Sequence, residues 1–231
     1  MTTTIDLNCD MGEMPDAALE AALMRQIGSA NIACGGHAGD DDSMERSVRL
    51  ALECGVRIGA HPGYPDRANF GRIEMDLAAE AVADTVYRQI QRLDAIVKRL
   101  GGQIVHVKPH GALYNVAVRD EAVARAIGMG VMRSKPDAAV FGLAGSPMLR
   151  VWREMGLNAA GEAFADRQYE PDGTLRSRKL PGALITDPQA AAAQALRLAR
   201  RGDVQTICVH GDTPGAVEIL KACREALLYE A

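Results

Sequence analysis

Seven short β-rich runs recur along the chain at residues 4–9, 30–34, 56–60, 104–108, 139–143, 157–163 and 206–210, and helical patterns separate them. Strands that alternate with helices predict a parallel sheet, because each return to a parallel neighbour needs a crossover helix. Two architectures satisfy this, a closed or nearly closed barrel and an open doubly wound sheet. Neither GxGxxG nor GxxxxGK[ST] follows the first strand, so the nucleotide fingerprints that favour the open form are missing.

The helix boundaries are marked. Ser146-Pro147, Asp187-Pro188 and Thr213-Pro214 each place a capping side chain before a proline suited to a first helical turn. Gly55, Gly101, Gly156 and Gly202 each follow a helical stretch, where a left-handed cap is wanted. The longest helix is predicted over residues 77–100, with Val82, Val86, Ile90, Leu93 and Val97 on one stripe. Residues 164–186 hold no regular pattern but carry Arg167, Tyr169, Arg176 and Arg178, as expected of a functional lid.

Side chains alternate across a strand, so Asn8 and Asp10 share one face of the first strand, and Lys108 and His110 one face of the fourth. His210 and Asp212 follow the seventh, His37 the second, His61 ends the third and Glu162 the sixth. A strand buried on both faces should be continuously apolar. These strands instead gather ionisable groups toward their C-terminal ends, where α/β folds build active sites. Helix capping accounts for Asp40, Asp41, Asp42 and Ser43, but not for this set. Asp10, His37 and His61 are candidate ligands of a divalent metal ion. Asp10 or His110 is a candidate general base, and Lys108 a candidate donor to a developing oxyanion. Arg67 and Arg72 can take a carboxylate or phosphate bidentately.

The chain has 231 residues, enough for one large α/β domain, read as spanning residues 1–231. A formal net charge of -4 argues against a nucleic-acid or anionic-membrane partner. The five cysteines fit no zinc or disulfide spacing and read as buried free thiols. No apolar run has membrane length, and the N-terminus lacks the pattern of a secretory signal, so a cytoplasmic location is expected.

The segments NCDMGE (8–13), SANIACGGHAGD (29–40), GVRIGAHPGYPDR (55–67), NFGR (69–72), HVKPHGALYN (106–115), GLAGS (142–146), EAFADRQY (162–169) and VHGD (209–212) together resemble the LamB/YcsF family. The resemblance implies an incomplete, seven-stranded (β/α) barrel related to polysaccharide-deacetylase and glycoside-hydrolase barrels. It implies ATP-dependent opening of 5-oxoproline to L-glutamate, with ATP as co-substrate and 5-oxoprolinase subunits B and C as partners. Association with further copies of the chain stays open. The polar side chains of Asn8, Asp10 and Glu13 can bind a metal or position a substrate amide, the matching motif positions add Glu162, Arg167, His210 and Asp212, and Tyr114, Arg67 and Arg72 complete the substrate-binding candidates. The chain departs from the family pattern at Gly36, where an aromatic residue is usual, and in a short stretch before the last strand. A stand-alone metal-dependent amidohydrolase or deacetylase, and a non-catalytic substrate-binding protein, are the competing readings.

Overall fold

In a computed structural model, which describes residues 5–229, the chain forms a closed parallel barrel of seven strands in sequence order. The strands are β1 (Asp6–Met11), β2 (Ser29–Ala33), β3 (Arg57–His61), β4 (Ile104–Val107), β5 (Ala139–Leu143), β6 (Asn158–Phe164) and β7 (Thr206–Cys208). Each lies within two residues of its predicted start; Thr4 is outside the described residues. The barrel has seven strands rather than eight, yet it has no gap. β7 pairs with β1 through Asp6↔Thr206, Leu7↔Ile207 and Asn8↔Cys208. The open doubly wound alternative is thereby excluded.

Eight helices surround the strands: α1 (Ala17–Met24), α2 (Asp41–Cys54), α3 (Ala79–Arg99), α4 (Gly111–Arg119), α5 (Glu121–Ser134), α6 (Pro147–Glu154), α7 (Pro188–Ala199) and α8 (Ala216–Tyr229). None is long and apolar enough to cross a membrane. The predicted stripe of α3 is buried throughout, at Val82, Val86, Ile90, Leu93 and Val97. Each such side chain contributes about 1.5–3 kcal/mol through burial. Asp40 caps α2 in a reciprocal box with Ser43, and Gly55 ends that helix at φ 68°. Thr213-Pro214 behaves otherwise. The helix starts only at Ala216, and the Thr213 hydroxyl donates to Asp166 instead of capping. Four of the cysteines are buried free thiols as expected, but Cys54 is exposed at the end of α2.

The outward faces of the strands meet the helices, and the inward faces fill the lumen. Apolar layers usually fill such barrels. Here much of the filling is polar: Asn8, Asn31, His106, Glu162 and Thr206 are all at most 2% exposed. Gly59 makes room for this. A Cβ there would fall 1.9 Å from Nε2 of His106, whose ring stacks on Phe141 with centroids 4.4 Å apart.

Candidate active site at the barrel mouth

The lumen network rises from floor to mouth through hydrogen bonds that leave few choices of rotamer. Asn8 Nδ2 donates to Thr206 Oγ1 at 2.8 Å and to Glu162 Oε1 at 3.0 Å. Asn31 Nδ2 donates to Asn8 Oδ1 and Asp10 Oδ1, and its own Oδ1 accepts from His106 Nε2 at 2.9 Å. The Lys108 ammonium completes the network. It reaches Asp10 Oδ1 at 3.0 Å, Glu162 Oε1 at 3.1 Å, Asn8 Oδ1 at 3.3 Å and Cys208 Sγ at 3.0 Å.

This arrangement bears on three expectations. Asn8 and Glu162 are wholly buried under the mouth, bonded to one another and to Lys108. Lys108 borders the cavity and has four acceptors in place for its three protons, so an oxyanion would have to displace one of them. Its burial disfavours the charge, but Asp10, Cys208 and Glu162 outweigh that and push the ammonium well above its usual pKa. Burial likewise works to raise the Asp10 carboxyl, while His61 and Lys108 hold it well below the usual carboxylate range.

Beside this floor lies a histidine cluster. His37 Nε2 is 2.9 Å, His110 Nδ1 3.2 Å and His61 Nε2 3.6 Å from a single oxygen, Glu13 Oε1. The rings of His37 and His110 stack at 3.6 Å. The expected trio of Asp10, His37 and His61 therefore regroups. His37 and His61 do converge, but Glu13 and His110 join them, and Asp10 turns its Oδ1 to Lys108 while keeping Oδ2 3.5 Å from His61. Glu13 belongs to this cluster rather than to a substrate surface. Burial works to raise its carboxyl, but hydrogen bonds to His110 and His37 hold it far below the ordinary value. Burial pushes the His37 imidazole down to about 4.

Above the floor opens a cavity of about 760 Å³, bordered by Asp10, His61, His110, Tyr114, Arg167 and His210. Burial, and then the Glu162 carboxylate, push the Tyr114 phenol well above its usual pKa. Residues 165–187, after β6, wall the cavity with Asp172, Leu175, Arg178 and Lys179. The expected lid is thus in place, and Arg167 rather than Tyr169 faces the cavity. The Tyr169 hydroxyl folds back to accept the Phe164 N–H at 2.7 Å. Arg72 and Arg178 both pair with Asp212 on the rim. Asp212 is thereby a clamp between the third-strand loop and the lid. Arg67 does not reach the mouth, because its guanidinium holds the carbonyls of Gly35 and Gly39.

Arg167 stands apart from the other cations. It is 6% exposed. Among the described residues its side chain makes one hydrogen bond, from Nη2 to the Arg176 carbonyl at 2.6 Å, and Nε has no partner. No carboxylate pairs with it among those residues. Burial, and then Arg178 nearby, lower its pKa to about 10.

One residue that the strand pattern does not reveal completes the mouth. Asp166 is wholly buried and holds His210 Nδ1 at 3.1 Å, the His210 backbone N–H at 3.1 Å and the Thr213 hydroxyl at 2.6 Å. His210 stacks on Phe164 and borders the cavity, with no partner on Nε2 among the described residues. Burial works to raise the Asp166 carboxyl, but His210 and Thr213 outweigh it and lower it. Gly36, the departure from the family pattern, sits where the Gln89 side chain comes in. Gln89 bonds both N–H and C=O of Gly63, and a Cβ on Gly36 would lie 2.3 Å from its Oε1.

The fold and mouth define a closed seven-stranded (β/α) barrel protein with imidazoles, carboxylates and a guanidinium without an ion pair among the described residues at the C-terminal ends of its strands. The LamB/YcsF family model matches residues 5–231, and the chain belongs to that family. It is 45% identical to a 5-oxoprolinase A subunit of Heliobacterium modesticaldum, over 96% of this chain and 94% of that protein. It is 46% identical to one of Chloroflexus aggregans, over 97% and 95%. A lactam utilization protein from Thermus thermophilus superposes with a TM-score of 0.89 at 40% identity, covering 98% of this chain and 97% of that one. A family 4 carbohydrate esterase from Streptomyces lividans shares the fold alone, at 14% identity and a TM-score of 0.51, covering 99% and 89%.

Proposed function

We propose that this chain is the A component of a 5-oxoprolinase, which opens 5-oxo-L-proline to L-glutamate with two waters consumed and ATP, as co-substrate, cleaved to ADP and phosphate, and with subunits B and C as partners. The names of its full-length relatives support the reaction class. The observation on this chain that carries the reading is Arg167. A buried guanidinium without an acid partner among the described residues, at the edge of a cavity lined by proton-transferring groups, calls for a small ligand bearing a carboxylate. The lactam of 5-oxoproline carries one such group, adjacent to the ring nitrogen.

Within this reading Arg167 holds the substrate carboxylate and orients the ring. His210, held through Nδ1 by Asp166, moves a proton at Nε2: it takes one from the attacking water and delivers one to the departing ring nitrogen. This assigns the proton-transfer role to His210 rather than to Asp10 or His110, because Asp10 is engaged by Lys108 and Asn31, and His110 by Glu13 and His61. The chain has no GxxxxGK[ST] loop, so nucleotide use is ascribed to the assembled enzyme. Glutamate release from 5-oxoproline and ATP, measured with this chain alone and with both partner subunits added, tests the reading. ATP-dependent release with all three is expected. Release by this chain alone without ATP would replace the reading with a stand-alone amidohydrolase.

A further inference from the structure

Two of the clustered imidazoles have fixed tautomers. His61 Nδ1 lies 2.7 Å from the Lys108 carbonyl oxygen, and His110 Nε2 lies 2.9 Å from the Phe70 carbonyl oxygen. A carbonyl oxygen only accepts, so both of these nitrogens carry the proton. The Phe70 carbonyl is held there by a left-handed backbone at φ 55°, a conformation costly for a residue with a side chain and typical of functional sites. In the neutral rings the opposite nitrogens, His61 Nε2 and His110 Nδ1, present lone pairs to one another across 2.9 Å. Both also face Glu13 Oε1, another acceptor. Three electron-rich atoms directed at one point repel unless a proton or a metal ion lies among them.

The neighbouring cluster differs in one respect. Asp10, Cys208 and His210 also group closely, but the Lys108 ammonium sits on Asp10 and Cys208 and supplies their positive charge. No lysine or arginine pairs with Glu13 among the described residues. The spacing of the histidine cluster also has a chemical meaning. Metal–nitrogen bonds of about 2.0–2.1 Å at tetrahedral angles set ligand atoms roughly 3.3 Å apart. The separations among Glu13, His61 and His110 are 2.9, 3.2 and 3.6 Å. A ring nitrogen donated to a backbone carbonyl, with its opposite nitrogen turned inward, is the usual support of a metal-bound histidine.

We infer that Glu13, His61 and His110, with His37 packed beside them, form a binding site for one divalent transition-metal ion of the Zn²⁺ class. Glu13 Oε1, His61 Nε2 and His110 Nδ1 are the ligand atoms, with a fourth position left to water; His37 stacks face to face on His110 at 3.6 Å, so its lone pair cannot meet the same ion, and its Nε2 holds Glu13 instead. A bound ion would supply Lewis acidity beside the cavity, which His61 and His110 border. The inference does not depend on which lactam, or whether any lactam, enters the mouth.

The test uses the full chain, stripped with a chelator and titrated with CoCl₂ and ZnCl₂, with no assay of turnover. The expected result is one ion per chain, visible ligand-field bands of a four-coordinate Co²⁺ site and a raised melting temperature. Glu13→Gln and His61→Asn should each weaken uptake by more than about 100-fold, beyond the effect of changing an outer-shell residue. Should either variant fail to fold, ¹⁵N shifts of the His61 and His110 ring nitrogens in the wild-type chain decide instead. Zn²⁺ should move His61 Nε2 and His110 Nδ1 and leave their partners in place. A folded wild-type chain that takes up neither ion overturns the inference, as do folded variants that bind like wild type or ring shifts that ignore Zn²⁺. In those cases a shared proton holds the two rings together.

Discussion

Lys108 Nζ and Glu162 Oε1 stand 3.1 Å apart beneath the mouth, with side chains 3% and 0% exposed. Asp10 approaches the same ammonium from the other side at 3.0 Å. Replacing Lys108 by Met would leave two carboxylates buried without a countercharge. Breaking a buried pair in this way costs about 3–5 kcal/mol. Lys108→Met is therefore expected to lower stability by about that amount in urea unfolding. Lys108→Met combined with Glu162→Gln should lose less than the two single changes summed, because the second removes a charge that the first leaves stranded. Wild-type stability of the single variant would mean that the lumen admits water to these acids.

Arg167 gives the sharpest test of substrate recognition. The hydrogen bond to the Arg176 carbonyl is the one its side chain makes among the described residues, so removing it should cost the fold little. Hydrogen bonds to charged groups contribute about 1.5–3 kcal/mol, which corresponds to roughly 10–150-fold. Arg167→Ala in the assembled enzyme should lower kcat/KM for 5-oxoproline by about that factor. Arg167→Lys should recover part of it, since a point charge cannot reproduce the fork. The readout is steady-state glutamate formation over a range of substrate concentrations. An unchanged kcat/KM for Arg167→Ala would show that the carboxylate binds elsewhere.

Asp166 acts through His210. Asp166→Asn can keep the shape but not the charge or the tautomer it selects, and turnover should fall by about 10²–10⁴, the range of a general acid–base contribution. A purely structural role would instead appear only in stability, so the pH dependence of unfolding is measured beside it. The Asp166 carboxyl is lowered in the folded chain from an ordinary value of 3.8. A depressed value adds stability that is complete above the unfolded pKa and fades as the pH falls through the folded one. As the pH falls below about 4, the wild-type chain should therefore lose stability more steeply than Asp166→Asn.

Much of this mouth is legible in the sequence because alternation is a property of the extended backbone. Asn8, Asp10, Lys108 and His110 go inward as soon as β1 and β4 are recognised. Asn31 obeys the same rule, in step with Ser29 and Ala33, but an apolar run hides it. Asp166 is harder. It lies two residues past the end of β6, and only the docking of residues 165–187 brings it under His210. Arg67 shows the opposite limit. A loop guanidinium reads as an anion site, whereas its acceptors are two carbonyls of another loop, which no local pattern announces. Thr213-Pro214 has the form of a helix start, and the hydroxyl serves a buried carboxylate instead, because an unanswered buried charge costs more than a missing cap.

Gly36 offers a final test, of packing rather than chemistry. In this chain the space beside Gly36 belongs to the Gln89 amide. Gly36→Phe puts its Cβ within 2.3–2.8 Å of three Gln89 atoms, so either the amide or the loop must move. Overpacking of this kind typically costs about 1–3 kcal/mol. Gln89→Ala frees the space but strips the buried Gly63 N–H and C=O of their partners, a loss of similar size. The two changes together should therefore cost less than their sum, by an interaction of about 0.5–3 kcal/mol. A double-mutant cycle of urea unfolding measures it. Strict additivity would mean that the introduced phenyl ring turns out to solvent and never competes with Gln89.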